Sequence, residues 1–360
     1  MSLYHCNRYL HELDTEVRRT DVPWSMLNNK KVLITGASGM IGSYLTDLIM
    51  MASKIYGNQT HVFALSRNED KLRRRFVQYE DNSCFHYVVQ DIMQELSFEG
   101  DYDIDYIIHA ASNTHPKEYS SDPVGTILTN VIGFYNVLEY AKESRRRHTC
   151  RIVLCSSVEI YGENRTEKDY FREDDLGYID CNTLRSGYPE SKRVSESMIQ
   201  AYIKQYHMDA VSVRLSRVYG ASLEKDDSKA MTQFIRNAIR GEDIVLKSSG
   251  TQLYSYNYIA DAARAILMVM LEGKSGNAYN VADSNSDSML KDIATYLANY
   301  CGSSVVFQIA DQCEREGYST ATKALLDSSK IKQELNWKAY YPLEEGLVRT
   351  IEILKEEEYK

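Results

Sequence analysis

The chain has 360 residues, 43% of them hydrophobic, with 42 basic and 51 acidic side chains and a formal charge of −9. That length and apolar content can bury a full core and exclude a small disulfide-stapled fold, while the acidic balance argues against a nucleic-acid partner held by a bulk field. No apolar run approaches the ~20 residues of a membrane span, and residues 1–28 lack the continuous apolar core of a signal peptide, so a cytoplasmic protein with no membrane partner is expected. Seven scattered cysteines (Cys6, Cys84, Cys150, Cys155, Cys181, Cys301 and Cys313) form no C-x-x-C pair, which fits free thiols and no metal site.

Residues 1–28 read as a polar N-terminal extension, an arm packed over the domain, with a short helix at His11 to Arg19 and Trp24 as an anchor. The rest of the chain is organised around the stretch Lys31 to Leu48. Val32, Leu33 and Ile34 are a short aliphatic strand, and the apolar residues from Met40 onward recur at helical spacing. The turn between them, with Gly36, Ser38, Gly39, Met40, Ile41 and Gly42, has the glycine pattern that lets backbone approach a pyrophosphate at a helix N-terminus.

His61 to Leu65 reads as a second strand ending at Ser66 and Arg67. A small polar residue followed by arginine, in place of an acid, leaves room and charge for a 2′-phosphate and leans towards NADP. The basic helix around Lys71 to Arg75 is expected to be solvated. Phe85 to Val89 is a third strand, closed by Asp91 and Ile92, where a carboxylate can receive an adenine amino group. Asp105 to Ala110 is a fourth, and the small residues Ala110, Ala111 and Ser112 let a cofactor lie across its end. His109 reads as a core histidine.

A long helix from Asp122 to Arg145 carries Thr126, Val131, Phe134, Val137 and Leu138 on one side, with the basic cluster Arg145 to Arg147 suiting its C-terminal dipole. Arg151 to Cys155 is an apolar strand running into Ser156, Ser157, Val158 and Glu159. Thirty-one residues beyond Ser157 comes Tyr188-Pro189-Glu190-Ser191-Lys192 at a helix start. Tyrosine and lysine four apart share a helical face, so the Lys192 ammonium is expected to lower the Tyr188 phenol pKa and make it an acid or base near neutral pH.

Taken together, the motifs T-G-A-S-G-M-I-G at 35, D-I at 91, H-A-A-S at 109, T-N-V-I-G at 129, S-S-V-E-I-Y-G at 156, Y-P-E-S-K at 188, R-L-S-R-V-Y-G at 214 and W-K-A-Y-Y-P-L-E-E-G-L at 337 resemble the extended short-chain dehydrogenase/reductases. The likeness is to their nucleotide-sugar epimerases, dehydratases and decarboxylases. It implies an α/β fold: a Rossmann-type doubly wound parallel sheet at 29–210 binding NAD or NADP, and a smaller, mainly substrate-binding C-terminal α/β region at 211–360, some of whose segments return to the sheet. It also implies a catalytic set of Ser157, Tyr188 and Lys192, with Asn130, Ser216, Tyr188 and Lys192 among the cofactor contacts. Family habit favours NAD.

The run from His109 to Asn130, with Tyr119 and Pro123, is most similar to UDP-glucuronate decarboxylases. Glu159 lies where those enzymes and the dehydratases carry an active-site glutamate. Val158 replaces the aspartate that dehydratases place before it, which counts against 4,6-dehydration. Two departures concern the substrate. Tyr254 stands where relatives have an arginine for the substrate phosphates, with Arg217 a candidate substitute at a place where relatives often have asparagine, and Gln233 also replaces an asparagine.

The implied reaction is oxidation of the sugar at C4, followed by decarboxylation, with 4-epimerisation and then 4,6-dehydration as alternatives. A non-catalytic cofactor-binding protein is the reading of another class. The helices Thr126 to Arg145 and Tyr188 to His207 match those that pair in a family homodimer. From Arg214 onward, helices are expected at Lys229 to Arg240, Asp261 to Leu271, Ser288 to Asn299 and Leu343 to Glu356.

Overall fold

In the computed structural model, which describes residues 2–97, 103–114, 116–145, 150–165, 168–223, 227–308 and 321–358, the apolar runs of the first half become neighbouring strands. A first helix α1 (Asn7–Arg18) precedes β1 (Lys31–Thr35), α2 (Met40–Tyr56), β2 (His61–Ser66), α3 (Glu69–Arg75), β3 (Phe85–Val89) and β4 (Tyr106–His109). Next come α4 (Pro116–Ser121), α5 (Pro123–Arg145), β5 (Arg151–Ser157), α6 (Gly187–Tyr206) and β6 (Asp209–Leu215). The second half supplies β7 (Arg217–Tyr219), α7 (Ala230–Arg240), β8 (Ile244–Leu246), β9 (Leu253–Tyr254), β10 (Tyr256–Tyr258), α8 (Ile259–Glu272) and β11 (Ala278–Val281). Last are β12 (Ser288–Met289), α9 (Leu290–Cys301), β13 (Val305–Phe307), β14 (Lys323–Ala324), α10 (Ser329–Leu335) and α11 (Leu343–Glu358). Arg146, Arg147 and Cys313 lie outside the described residues, and the six described cysteines are unbridged.

Seven strands pair in the order β3-β2-β1-β4-β5-β6-β11, and every pairing is parallel. Helices cover both faces, so the strands read as continuous aliphatic runs: Val32, Leu33 and Ile34 of β1 are all fully buried. This is the Rossmann-type doubly wound sheet that the motifs implied. The chain runs outward through β2 and β3 and then returns to β4 beside β1, so the order reverses at that point. The crevice beyond the carboxyl ends of β1 and β4 is where such sheets take ligands. The late strand β11 closes the far edge through its pairing with β6.

The helices α2 and α8 are buried nearly all round, over Gly42 to Ala52 and Ile259 to Leu271. A helix of that kind needs cover on its outer side as well as its sheet side. For α2 the outer cover is α1, whose Tyr9, Leu13 and Val17 are fully buried. The first helix is therefore longer than expected and sinks two carboxylates into the protein. Glu16 accepts from Arg264 Nε at 2.7 Å, and Glu12 accepts from Tyr44 at 3.0 Å and Tyr258 at 2.7 Å.

Three sequence expectations change at this level. The basic run of α3 is not uniformly solvated: Arg73 is exposed beside Glu69, but Arg75 is buried and donates to Asp47 at 2.6 Å. Along α5, Phe134, Val137 and Leu138 are buried, whereas Val131 is only half-buried. The helix expected from Ser288 starts at Leu290, because Ser288 and Met289 pair antiparallel with β9.

Candidate active site

A cleft of about 370 Å³ opens at the reversal point of the sheet, between its carboxyl ends and the second half of the chain. Gly36, Gly39, Met40, Ile41 and Gly42 form one wall. Gly36 has φ +68°, and a Cβ there would come within 2.7 Å of the Ala111 backbone, so the β1 turn and the loop after β4 meet only because this residue is glycine. A Cβ on Gly42 would come within 2.4 Å of the Gly36 carbonyl, so glycine there lets α2 seat against the strand. Gly39 is the N-cap of α2, and no side chain caps that helix. Its first-turn N–H groups and positive dipole end therefore face the cleft, an arrangement that fits a pyrophosphate.

Another part of the lining holds the candidate catalytic residues. Cys155, Ser156, Ser157, Val158 and Glu159, from β5 and the 3-10 turn after it, face Tyr188 and Lys192 from the first turns of α6. The Glu159 backbone N–H donates to Ser157 Oγ at 3.2 Å, and the Ser191 hydroxyl donates to the Tyr188 carbonyl at 2.7 Å. Asn130 ties this helix start to the cofactor wall. Its amide donates to Ser191 Oγ at 2.8 Å, and its carbonyl accepts from Ser112 Oγ at 2.7 Å.

Electrostatics here depart from the sequence reading. Burial pushes the Tyr188 phenol well above its usual pKa, and the nearby Glu159 charge pushes in the same direction, while Ser157 hydrogen bonding and the Arg185 guanidinium pull it down. The net shift is therefore upward, opposite to the lowering expected from Lys192. The Lys192 ammonium lies 6.0 Å from the Tyr188 ring centre and donates to the Cys155 carbonyl at 3.0 Å. Burial lowers its own pKa to about 8. His109 is a core histidine: it is buried, sits 2.9 Å from Thr35 Oγ1 through Nδ1, and is pushed down to about 3 by burial and by the Lys192 charge.

Of the residues singled out from sequence, Ala110, Ser112, Tyr119, Ser216, Arg217, Gln233 and Tyr254 also line the cleft. Seven do not. Ser38 and Ser66 share a 2.9 Å hydroxyl contact beside it, and Arg67 is exposed. Asp91 accepts from the Met93 N–H at 3.0 Å, Ile92 is buried, Ala111 packs under Gly36 and Asn130 is the buried bridge described above.

Arg185 is a residue that the sequence reading passed over. It forms an ion pair with Glu159 and lies 4.5 Å over the Tyr119 ring, whose centre is 5.0 Å from that of Tyr188. It stands three positions before Tyr188 and opens the run R-S-G-Y-P-E-S-K-R-V-S-E at 185–196, which resembles the tyrosine-helix start of UDP-glucuronate decarboxylases. Lys229, between Asp227 and Thr114 at 3.2 Å from each, was read only as a helix start. Arg217 stacks on Tyr254, its guanidinium 3.7 Å from the ring centre, while the Tyr254 hydroxyl donates to the Ala321 carbonyl at 2.7 Å.

Comparison with known proteins agrees with this geometry. The chain is 29% identical over 331 residues to UDP-glucuronic acid decarboxylase 1 of Danio rerio, covering 92% of this chain and 74% of that protein. It is likewise 29% identical over 322 residues to UDP-glucuronic acid decarboxylase 6 of Arabidopsis thaliana, covering 89% and 87%. Among solved structures, the fold is shared with a dTDP-glucose 4,6-dehydratase of Streptomyces venezuelae with NAD bound, at a TM-score of 0.77, 22% identity and coverage of 91% and 97%. It is also shared with the Bacillus cereus UDP-glucuronic acid 4-epimerase in complex with UDP-glucuronic acid and NAD, at a TM-score of 0.75, 21% identity and coverage of 92% and 100%. Residues 32–282, which hold the glycine turn, Ser157, Tyr188 and Lys192, match the model of one family. The chain belongs to the NAD dependent epimerase/dehydratase family.

Proposed function

We propose that this protein is a nucleotide-sugar enzyme that oxidises its substrate at C4, and that its reaction is the decarboxylation of a UDP-glucuronate-like substrate. The observation that carries this reading is the meeting of Ser157, Glu159, Tyr188 and Lys192 with an uncapped, glycine-lined helix N-terminus in one cleft. Gly36, Gly39, Met40, Ile41, Gly42, Ala110 and Ser112 would hold the dinucleotide, with Asn130 and Ser216 supporting its far side. Bound NAD or NADP supplies a reversible hydride acceptor for C4.

Tyr188, once ionised against the burial that raises its pKa, would take the proton of the C4 hydroxyl as phenolate, with Ser157 hydrogen-bonded to the same oxygen. Lys192, fixed by the Cys155 carbonyl, would orient the cofactor ribose. A ketone at C4 lies β to the C5 carboxylate, so carbon dioxide can leave with its bonding electrons delocalised into that ketone. A proton must then return to C5, and Glu159, held by Arg185, is placed to orient the substrate or relay that proton. The same ion pair occupies Glu159 and keeps 4-epimerisation, which needs no proton at C5, as the second reading. Val158 lines the cleft as an apolar residue and supplies no acid for 4,6-dehydration.

Mass-resolved product analysis with UDP-glucuronate and either dinucleotide separates these readings. Loss of carbon dioxide is expected, and an unchanged mass with a new stereoisomer would move the enzyme to the epimerases. Tyr188→Phe is expected to abolish turnover with cofactor still bound; no reaction in the parent protein with any sugar nucleotide would favour a non-catalytic binder. Two copies are proposed to pair through α5 and α6, where Val124, Ile127, Leu128, Ile132, Tyr135 and Val194 are exposed, and sedimentation at graded concentration reads that state. Among the described residues no helix is long and apolar enough to cross a membrane.

A further inference from the structure

The cleft carries more positive charge than its own acids balance. Among the described residues, Arg185, Lys192, Arg217, Lys229 and Lys247 line it with only Glu159 and Asp227 as acids. Lys192 is turned to the Cys155 carbonyl, and Lys229 sits with Asp227. Of the two guanidinium groups at the tyrosine end, that of Arg185 pairs with Glu159.

Arg217 faces that same end. Its charge acts on Tyr119, repels that of Arg185 and is attracted by Glu159. Its Nε, the Nε and Nη1 of Arg185, and the Tyr256 hydroxyl are buried with no hydrogen-bond partner among the described residues. A desolvated cation with open donors is costly unless an anion completes it. The seat is also stiff. The Arg217 N–H donates to the Ser255 carbonyl at 3.1 Å, β7 pairs with β10 alongside it, and the guanidinium plane rests on a Tyr254 ring pinned through its own hydroxyl. A planar fork held in this way matches a carboxylate.

We infer that Arg217, flanked by Arg185, is the specificity-determining seat for a carboxylate carried by the sugar at the reacting end of the cleft, and not a contact to the substrate diphosphate. This rests on the reading that a sugar nucleotide fills the cleft, and it assigns the two departures at 217 and 254, arginine for asparagine and tyrosine for arginine, a consequence for substrate choice. A neutral hexose leaves the open Nε of Arg217 unpaired, whereas a uronate satisfies it.

Calorimetric binding to the cofactor-loaded Tyr188→Phe protein, which cannot turn over, tests this with UDP-glucuronate, UDP-glucose and UDP. Adding Arg217→Gln is expected to weaken UDP-glucuronate by about tenfold or more while UDP-glucose and UDP stay within about twofold, and Arg217→Lys should recover part of the loss. Equal weakening of all three ligands would place Arg217 on the phosphates and overturn the inference. No change in any ligand would also overturn it, as would failure of all three to bind the parent protein. Thermal unfolding and bound-cofactor content confirm that each variant is folded. Selective binding of UDP-glucuronate by a wild-type protein that releases no carbon dioxide would end the lyase reading and leave the carboxylate seat standing.

Discussion

Arg264 and Arg217 are both arginines packed against tyrosine rings, the first wholly buried and the second partly buried with its Nε enclosed, and their surroundings differ in one further respect. Arg264 is wholly buried and meets Glu16, Asp21 and Asp261, with the Lys338 carbonyl at 3.2 Å and the Tyr340 ring at 4.3 Å. Its donors are supplied by three carboxylates of its own chain, from α1, from the segment after α1 and from one turn earlier in α8. Arg217 has the ring but not the acids. Burial of a charge therefore does not itself mark function. A cation whose counter-ions are built into the fold is a structural rivet, whereas Arg217 lines the cleft with its Nε unpaired among the described residues.

Substitution at the two sites should separate these roles most sharply. Arg264→Gln leaves Glu16, Asp21 and Asp261 facing one another without a cation, and a stability loss of about 3–5 kcal/mol is expected in chemical denaturation. The same change at Arg217 should move stability by less than about 1 kcal/mol, because relief of its desolvation offsets the lost ring contact. Equal losses at both sites would erase the distinction.

Between these extremes lies Glu12, a buried carboxylate near the same cluster that has hydroxyl donors but no cation in contact. Burial raises its pKa from 4.5 to about 7, and neighbouring Glu16 adds to this, while Tyr258, Tyr44 and the Arg349 charge work against it. The folded protein therefore holds a proton that the unfolded chain has released, so the contribution to stability is complete below pH 4.5 and is lost as pH rises through 7. A shift from 4.5 to about 7 corresponds to at most about 3 kcal/mol. Glu12→Gln should remove that part of the decline between about pH 5 and 8, measured as denaturant midpoints across the range, and an unchanged slope would transfer the effect to Asp261, whose pKa burial raises to about 6.

Much of the fold was legible because its signals are local. The aliphatic runs Val32 to Ile34 and Phe85 to Val89, and the helical spacing after Met40, depend on residues within a few positions of one another, and each became the expected element. The glycine turn was readable for the same reason. So was the placing of Ser157, Tyr188 and Lys192, since their motif order carries the family resemblance and one parallel sheet brings β5 and the start of α6 together. Strand order is not local. The sequence does not state that β11 completes the sheet or that α1 caps α2, because both depend on which apolar faces remain uncovered after the sheet has formed.

The first four strands, the glycine turn, the motif residues Ser157, Tyr188 and Lys192 and the departures at 217 and 254 could all be read from neighbouring positions in the chain. How charge is distributed among them depends on the packed fold. Lys192 looked like the partner of Tyr188 at four-residue spacing, but the strand end at Cys155 offers its carbonyl and takes the ammonium. Arg185 reaches Glu159 across a gap of 26 residues, and Arg264 reaches Glu16 across 248. A charge settles where solvent is excluded and an opposite charge or a dipole is within reach, and both conditions are properties of the packed molecule and not of neighbouring positions in the chain.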